Sequence, residues 1–195
     1  EGIGEVVFDS TGEFESGDKV VMTDKIFMEN PQWRATDLLV HLEEKVQAEI
    51  VLLPWDMAEF CGHSDGMVAY LGDGQVLLNG CWENKDKKFH SRLVKILKGR
   101  FGEDMVRVLS LGREFENKYT WCYLNYLKLP GAVLLPRLAA DDADENDKFR
   151  ACDDAAVAAF KVLFPNDEIK QVYAMPLVKK GGALHCVTWE LVGED

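Results

Sequence analysis

The chain has 195 residues and a formal net charge of −12, with 47% hydrophobic and 29% charged residues. This composition is typical of a soluble globular protein with one sizeable core or two small ones. The acidic balance argues against a nucleic-acid partner, because phosphate binding needs a basic surface. No apolar run approaches the ~20 residues that cross a bilayer, and nothing at the start resembles a signal peptide. We therefore expect a cytoplasmic protein without a membrane partner.

Strands and helices alternate along the chain. Two β-rich runs, GEVVFDS and DKVVMTDKIFME, are predicted as strands before a helix over ATDLLVHLEEKVQA, whose N-cap is expected at Thr36 or Asp37. The strand EIVLLP follows. A hairpin is then predicted over MVAYLGDGQVLLN, with its turn at Gly72, Asp73 and Gly74. A helix over FHSRLVKILKGRFG, ended by a glycine, and the strand MVRVLSL complete this stretch.

The same order recurs in the last third of the chain. A hairpin is predicted over WCYLNYLKLPGAVLLPRL, with its turn at Pro130 and Gly131, and a helix over KFRACDDAAVAAFKVLF. IKQVYAMPL and ALHCVTWEL are predicted as the final strands. The order is thus ββ-α-β, ββ-α-β, ββ-α-ββ, a repeat of roughly 60 residues in an α/β protein. Three such units rarely stand alone, because each must bury one face against a neighbour.

Five cysteines form an odd set without CxxC spacing: Cys61, Cys81, Cys122, Cys152 and Cys186. Most lie in apolar surroundings, which favours free thiols in a reducing compartment over a disulfide framework. In such surroundings a cysteine usually acts as a small hydrophobic side chain. Cys186 differs, because two glycines and a histidine accompany it in GGALHC.

Four stretches place polar residues beside predicted strands: FESGD, CGHSDGMV, YLNYL and GGALHC. A radial arrangement of repeats brings equivalent strand ends to one axis, so these distant side chains are expected to meet. The Cys186 thiolate would be a nucleophile that His63 stabilises or supplies with a proton, with Glu15 orienting the imidazole. On a strand, Asp65 would point to the same side as His63. A carboxylate accepts two parallel hydrogen bonds from a guanidinium group, so the set suits attack on a guanidine carbon.

A metal site is the rival interpretation. Cys61, His63 and Asp65 alternate along one predicted strand, and Cys186 or His185 would complete four ligands. Structural zinc sites usually carry paired ligands on CxxC turns, and this chain has none. The sequence therefore favours nucleophilic chemistry without a metal.

Four motifs in order, ESGD, GHSD, CYLNY and GGALHC, resemble those of the agmatine deiminase and Porphyromonas-type peptidylarginine deiminase family. The family motifs are an EGGD-like turn, GHxD, a SYxNF-like strand and GGGxxHC, and the resemblance covers essentially the whole chain. Ser16 and Ala183 stand where the family has glycines. The family also has a guanidinium-binding aspartate in an Arg-Asp motif upstream of the ESGD turn, which this chain starts too late to include.

The resemblance implies a five-bladed α/β-propeller, the pentein fold. Residues 1–195 would form a single domain that supplies about the C-terminal three blades, with the N-terminal blades absent from the chain. It also implies roles for individual residues: Cys186 as nucleophile, His63 as general acid and base, and Glu15 as their acidic partner. The implied substrate-binding residues are Asp65, Asn125, Asp18, Gly181 and Gly182, where the glycines let the backbone approach closely. Asp65, Glu15 and Asp18 could instead cap turns.

The implied activity is hydrolysis of a guanidino substrate through a cysteine adduct, which releases ammonia and a ureido product. No metal or organic cofactor is expected. The expected partner is a small cationic guanidino molecule: agmatine, free arginine or a peptidyl arginine. Association as a homo-oligomer, or with the missing N-terminal segment, is left open. Two alternatives also stay open, an amidinotransferase on the same fold and a non-catalytic binding propeller.

Overall fold

The computed structural model describes residues 19–57, 63–115, 117–144 and 147–188. The chain divides into two compact units. The first runs to Leu78 and includes Lys88–Arg107, and the second comprises Asn79–Lys87 and the chain from Val108. Among the described residues, no helix is both long and apolar enough to cross a membrane.

The described part of the first unit begins with β1 (Lys19–Thr23), which runs parallel to β2 (Glu49–Leu53) and pairs with it residue by residue over its whole length. Two helices connect them, α1 (Ile26–Glu29) and α2 (Ala35–Val46). The buried apolar side chains of these elements form one cluster, made of Val20, Met22, Ile26, Leu38, Ala48 and Ile50. Burial of this cluster holds α1 and α2 against the two strands.

Two details of the first unit differ from the sequence prediction. DKVVMTDKIFME is not strand throughout, because the chain turns into α1 after Thr23. An ion pair between Lys25 and Glu29, at 3.0 Å, supports this helical turn. The N-cap of α2 is Arg34 and not Thr36 or Asp37, and the Thr36 hydroxyl donates instead to the Asp37 carboxylate at 3.3 Å.

A predicted hairpin and helix follow and are confirmed. Strands β3 (Val68–Gly72) and β4 (Gln75–Asn79) pair antiparallel, and all three turn residues have positive φ angles: Gly72 +99°, Asp73 +51° and Gly74 +74°. Helices α3 (Trp82–Lys85) and α4 (Lys87–Phe101) come next. Gly102, at φ +111°, ends α4 as predicted, and a 3-10 turn, Glu103–Met105, leads into β5 (Val106–Leu109). The strand order is β3-β4-β5.

The remaining elements belong to the second unit. After two 3-10 turns, Arg113–Phe115 and Thr120–Leu124, the hairpin β6 (Leu127–Leu129) and β7 (Ala132–Arg137) turns at Pro130 and Gly131 as predicted. Helix α5 (Lys148–Leu163) then leads to β8 (Glu168–Tyr173), which pairs parallel with β7. Helix α6 (Met175–Val178) and a 3-10 turn, His185–Val187, are the last described elements.

Helix α5 has a capped start and a buried side. The Asp147 carboxylate caps it by accepting a hydrogen bond from the Phe149 amide at 2.7 Å. Further along the helix Phe160 is completely buried, with its ring centroid 5.1 Å from that of Tyr126 and 5.9 Å from that of Phe164. Edge-to-face and stacked aromatic contacts of this kind add to the stabilisation from burial.

Three segments of the second unit that were predicted as strands are helical turns. TWCYL forms a 3-10 helix, the end of IKQVYAMPL forms α6, and HCV of ALHCVTWEL forms another 3-10 helix. Each is a short apolar run, and over so few residues strand and helix patterns look alike. The strand prediction was therefore wrong for the turn that contains Cys186 and for the turn that Asn125 caps.

A strand, a helical segment and a second strand recur three times along the chain, in β1 to β2, β4 to β5 and β7 to β8. In the second and third repeats a further antiparallel strand precedes the unit. The α/β class predicted from the sequence is therefore present, and so is the strand, helix and strand part of the predicted repeat, whereas the final strand predicted over ALHCVTWEL is replaced in its described part by a 3-10 turn. The strand predicted over GEVVFDS lies outside the described residues.

Candidate functional site

Cys186 lies in the 3-10 turn His185–Val187, and its side chain is exposed to solvent. The carboxamide of Asn125 contacts it twice: Nδ2 donates to the cysteine sulfur at 3.2 Å, and Oδ1 accepts from the cysteine amide at 3.2 Å. A hydrogen bond donated to sulfur favours the thiolate over the neutral thiol. The thiol is therefore accessible to solvent and hydrogen-bonded to a neighbouring side chain.

Asn125 is almost fully buried, with 1% of its surface exposed. It caps the C-terminal end of the 3-10 helix Thr120–Leu124, where its amide donates to the Cys122 carbonyl at 3.0 Å. Its own carbonyl accepts from the His185 amide at 3.3 Å. Three hydrogen bonds thus connect Asn125 with His185 and with Cys186, which lies 61 residues away in the sequence.

The two glycines before the cysteine have local structural roles. Gly181 has φ +89°, a conformation that side-chain-bearing residues rarely adopt. Gly182 lies against Cys186, because a Cβ built on it would be 3.4 Å from the cysteine Cβ and 3.8 Å from the sulfur. The second unit therefore brings together four predicted site residues, Gly181, Gly182, Asn125 and Cys186.

His63 and Asp65 lie in the first unit, before β3. The strand prediction was wrong here too, because residues 63–67 form a turn. Ser64, between them, is completely buried and donates to the Val21 carbonyl at 3.0 Å, which fixes the turn to β1. His63 is exposed and Asp65 is half-buried. The sequence prediction missed Ser64, although a serine in the middle of a GHSD motif was the available signal.

Three further residues of the prediction, Glu15, Asp18 and Cys61, lie outside the described residues. Within the described part of the chain, no group of three or more His, Cys, Asp or Glu side chains is arranged to hold a metal ion.

The other described cysteines differ from Cys186. Cys122 and Cys152 are buried, as predicted, and Cys81 is half-buried. Burial raises the pKa of the Cys122 thiol, and the nearby Asp153 carboxylate raises it further. Burial raises the pKa of Cys152 in the same way. Both thiols are therefore kept protonated, and a protonated thiol is a poor nucleophile.

A buried carboxylate is hydrogen-bonded to the 3-10 helix that Asn125 caps. Asp153, on α5, is 2% exposed and accepts three hydrogen bonds: from the Tyr123 hydroxyl at 2.8 Å, the Leu138 amide at 2.9 Å and the Ala139 amide at 2.8 Å. Burial raises the pKa of Asp153, while these donors act in the opposite direction. The sequence prediction missed this residue. The spacing along the helix was the available signal: Asp153 precedes the buried Ala156 and Phe160 by three and seven positions, which places all three on the same side of α5.

The fold places the chain in the α/β class, and comparisons with known proteins identify its family. The sequence model of the Porphyromonas-type peptidyl-arginine deiminase family matches residues 4–191. Because this match covers nearly the whole chain, the chain belongs to that family. The resemblance seen in the four sequence motifs is confirmed.

Individual proteins and solved structures are also similar to the chain. A Mycoplasma mycoides protein named "Putative agmatine deiminase" is 32% identical over 79 residues, which are 40% of this chain and 19% of that protein. A cysteine-to-serine variant of C. jejuni agmatine deiminase, solved with substrate bound, has a TM-score of 0.62 at 16% identity and covers 93% of this chain. The agmatine deiminase of Enterococcus faecalis has a TM-score of 0.60 at 20% identity and covers 87%.

These similarities to solved structures establish a shared fold. The chain spans about half of each of the two solved structures, 53% of the C. jejuni chain and 52% of the E. faecalis chain.

Proposed function

We propose that the chain takes part in the hydrolytic deimination of a guanidino substrate, with Cys186 as the nucleophile. The observation that carries the proposal is the state of the Cys186 thiol. It is the exposed thiol among the described cysteines, and its sulfur accepts a hydrogen bond from Asn125 at 3.2 Å. Membership of the peptidyl-arginine deiminase family supports deiminase chemistry. In addition, the structurally similar agmatine deiminase of C. jejuni was solved as a cysteine-to-serine variant with substrate bound.

In the proposed reaction the Cys186 thiolate attacks the central guanidinium carbon and forms a carbon–sulfur bond. His63 donates a proton to the departing nitrogen, the carbon–nitrogen bond breaks, and ammonia leaves a thiouronium-type adduct on the sulfur. His63 then takes a proton from water, whose oxygen attacks the adduct carbon. The carbon–sulfur bond breaks, the thiolate returns and the ureido product leaves. These steps use no metal or organic cofactor.

The substrate-binding roles follow from the family motifs and from general chemistry. Asp65 would bind the planar guanidinium through two parallel hydrogen bonds, and Glu15 would orient the His63 imidazole. Asp18 would complete the acidic surroundings of the cation. Asn125 would line the site while it holds Cys186 through both ends of its carboxamide.

The proposed fold is the five-bladed α/β-propeller of the pentein proteins, of which this chain supplies about three blades. The support is the strand, helix and strand order that recurs three times.

An ammonia-release assay with agmatine, free arginine and a peptidyl arginine tests the proposal. Release is expected with at least one of these substrates and is lost in Cys186→Ala. Cys81→Ala is the matched control, because Cys81 is also a cysteine but is half-buried. Full activity in Cys186→Ala would end the proposal.

The same assay separates the two alternatives. An amidinotransferase would form a new guanidino compound from an added amine, with no ureido product. A non-catalytic binding module would bind the substrate in calorimetry and release no ammonia. Substrate protection of Cys186 against iodoacetamide, with no turnover, would favour the binding module.

A further inference from the structure

The 3-10 helix Thr120–Leu124 and its C-cap residue, Asn125, contribute side chains to two separate hydrogen-bond networks. Tyr123 bonds to the buried Asp153, and the next polar residue, Asn125, bonds to Cys186. Only Leu124 separates Tyr123 from Asn125, so the anchor of one network is two residues from the other. The helix is short, and its own hydrogen bonds fix its end only weakly.

Asp153 connects three separate segments of the second unit. Its Oδ1 accepts from the Tyr123 hydroxyl and from the Leu138 amide, and its Oδ2 accepts from the Ala139 amide. The carboxylate therefore links α5, the residues just after β7 and the 3-10 helix. Tyr123 is completely buried, so its ring and hydroxyl have a single environment. This arrangement leaves the backbone at Tyr123 little freedom to move.

We propose that Tyr123 and Asp153 are positioning residues for the Asn125–Cys186 pair. Asp153 holds the Tyr123 hydroxyl, Tyr123 fixes the end of the 3-10 helix, and the helix end sets the distance from the Asn125 carboxamide to the cysteine sulfur. This inference rests on the proposed function for its catalytic meaning. Its physical content, control of the thiol through Asn125, is independent of any reaction.

The test measures the rate constant for iodoacetamide alkylation of Cys186, followed by peptide mass mapping over a range of pH. Tyr123→Phe removes the hydroxyl that donates to Asp153 and keeps the ring. We expect alkylation below the plateau of the pH profile to slow about twofold to fivefold, because the Nδ2–H···S hydrogen bond lengthens and the thiolate loses part or all of that stabilisation. Asp153→Asn is expected to slow it in the same direction.

Asp147→Ala is the matched control. It removes the N-cap of the same helix α5, and so it destabilises that helix without touching Tyr123. Its alkylation profile should match the wild-type profile even though its midpoint in urea falls. If Asp147→Ala slows alkylation as much as Tyr123→Phe, general loosening explains the effect and the proposal is wrong.

A double-mutant cycle gives the decisive comparison. In an Asn125→Ala background, Tyr123→Phe should have no further effect on alkylation, because the residue through which it acts is gone. An equal effect in both backgrounds, or no effect of Tyr123→Phe in the wild type, would overturn the proposal. Because alkylation needs no substrate, this outcome is distinct from a failure of deimination.

Discussion

Replacement of Asn125 tests how strongly one buried carboxamide controls the exposed thiol. Asn125→Ala removes two hydrogen bonds, from Nδ2 to the Cys186 sulfur and from the Cys186 amide to Oδ1, both 3.2 Å long. A typical net contribution of about 1 kcal/mol for each bond predicts a loss of about 2 kcal/mol in the free energy of unfolding. The hydrogen bond from the His185 amide to the Asn125 carbonyl remains, so the turn around Cys186 should persist.

The thiol itself should also change. Loss of about 1 kcal/mol of thiolate stabilisation predicts alkylation by iodoacetamide that is about fivefold slower at neutral pH. Asn125→Asp is nearly isosteric and keeps an acceptor for the Cys186 amide, but it turns a carboxylate oxygen towards the sulfur. Like charges disfavour the thiolate, so alkylation in Asn125→Asp should be slower than in Asn125→Ala.

The assay is peptide mass mapping after timed alkylation, with urea denaturation of each variant. Asn79→Ala is the control: Asn79 is a second buried asparagine, and its side chain accepts from the Cys81 amide at 3.0 Å. This variant should lose stability and keep the wild-type alkylation rate at Cys186. Wild-type alkylation in both Asn125 variants would refute the reasoning, since the carboxamide would then have no influence on the sulfur.

Three predictions concern stability. Burial raises the pKa of the Asp153 carboxyl above its ordinary value of 3.8, so the folded protein binds the carboxyl proton more tightly than the unfolded chain does. The stability advantage of wild type over Asp153→Asn should therefore shrink as the pH rises above 3.8. Urea titrations of both proteins at several pH values measure this difference in the free energy of unfolding. Gly99→Ala, in α4 with open space around it, should raise the free energy of unfolding by about 0.5–1 kcal/mol, whereas Gly131→Ala, at φ +74°, should lower it by about 1 kcal/mol. Gly80→Ala should lower the melting temperature, because its Cβ would lie 2.6 Å from the Leu109 carbonyl oxygen.

Each of these predictions has a contrary outcome. An advantage of wild type over Asp153→Asn that grows with pH would mean that the folded protein prefers the ionised carboxylate. Equal changes in the free energy of unfolding for Gly99→Ala and Gly131→Ala would show that the backbone conformation of the glycine does not determine the effect of the substitution. A Gly80→Ala variant as stable as wild type would show that β4 and β5 separate easily at this point.

Sequence reasoning works well where the signal is local. The glycine that ends α4, the turn of the β3–β4 hairpin at residues 72–74 and the turn at Gly131 all follow from φ preferences that few residues satisfy. The helical spacing of α4 and α5 extends over 15 and 16 residues, long enough to exclude a strand. These elements could therefore be predicted from the sequence.

The site is less predictable, because its contacts are distant in sequence and its elements are short. Cys186 and Asn125 could be named from their motifs, but their 3-10 turns, of three and five residues, have no periodic signal. The bond between them joins positions 61 residues apart. Asp153 was missed because an aspartate in a helix is usually solvated, and only its phase with Ala156 and Phe160 indicated burial.

The central claim is that the Cys186 sulfur becomes covalently bonded to the guanidino carbon. Rapid acid quenching during incubation with agmatine, arginine or a peptidyl arginine, followed by peptide mass mapping, tests this directly. For the accepted substrate, the peptide that contains Cys186 should gain the mass of the substrate less one ammonia, and the adduct should be absent in Cys186→Ser. Ammonia release with no adduct on Cys186, continuing in Cys186→Ser, would contradict the account.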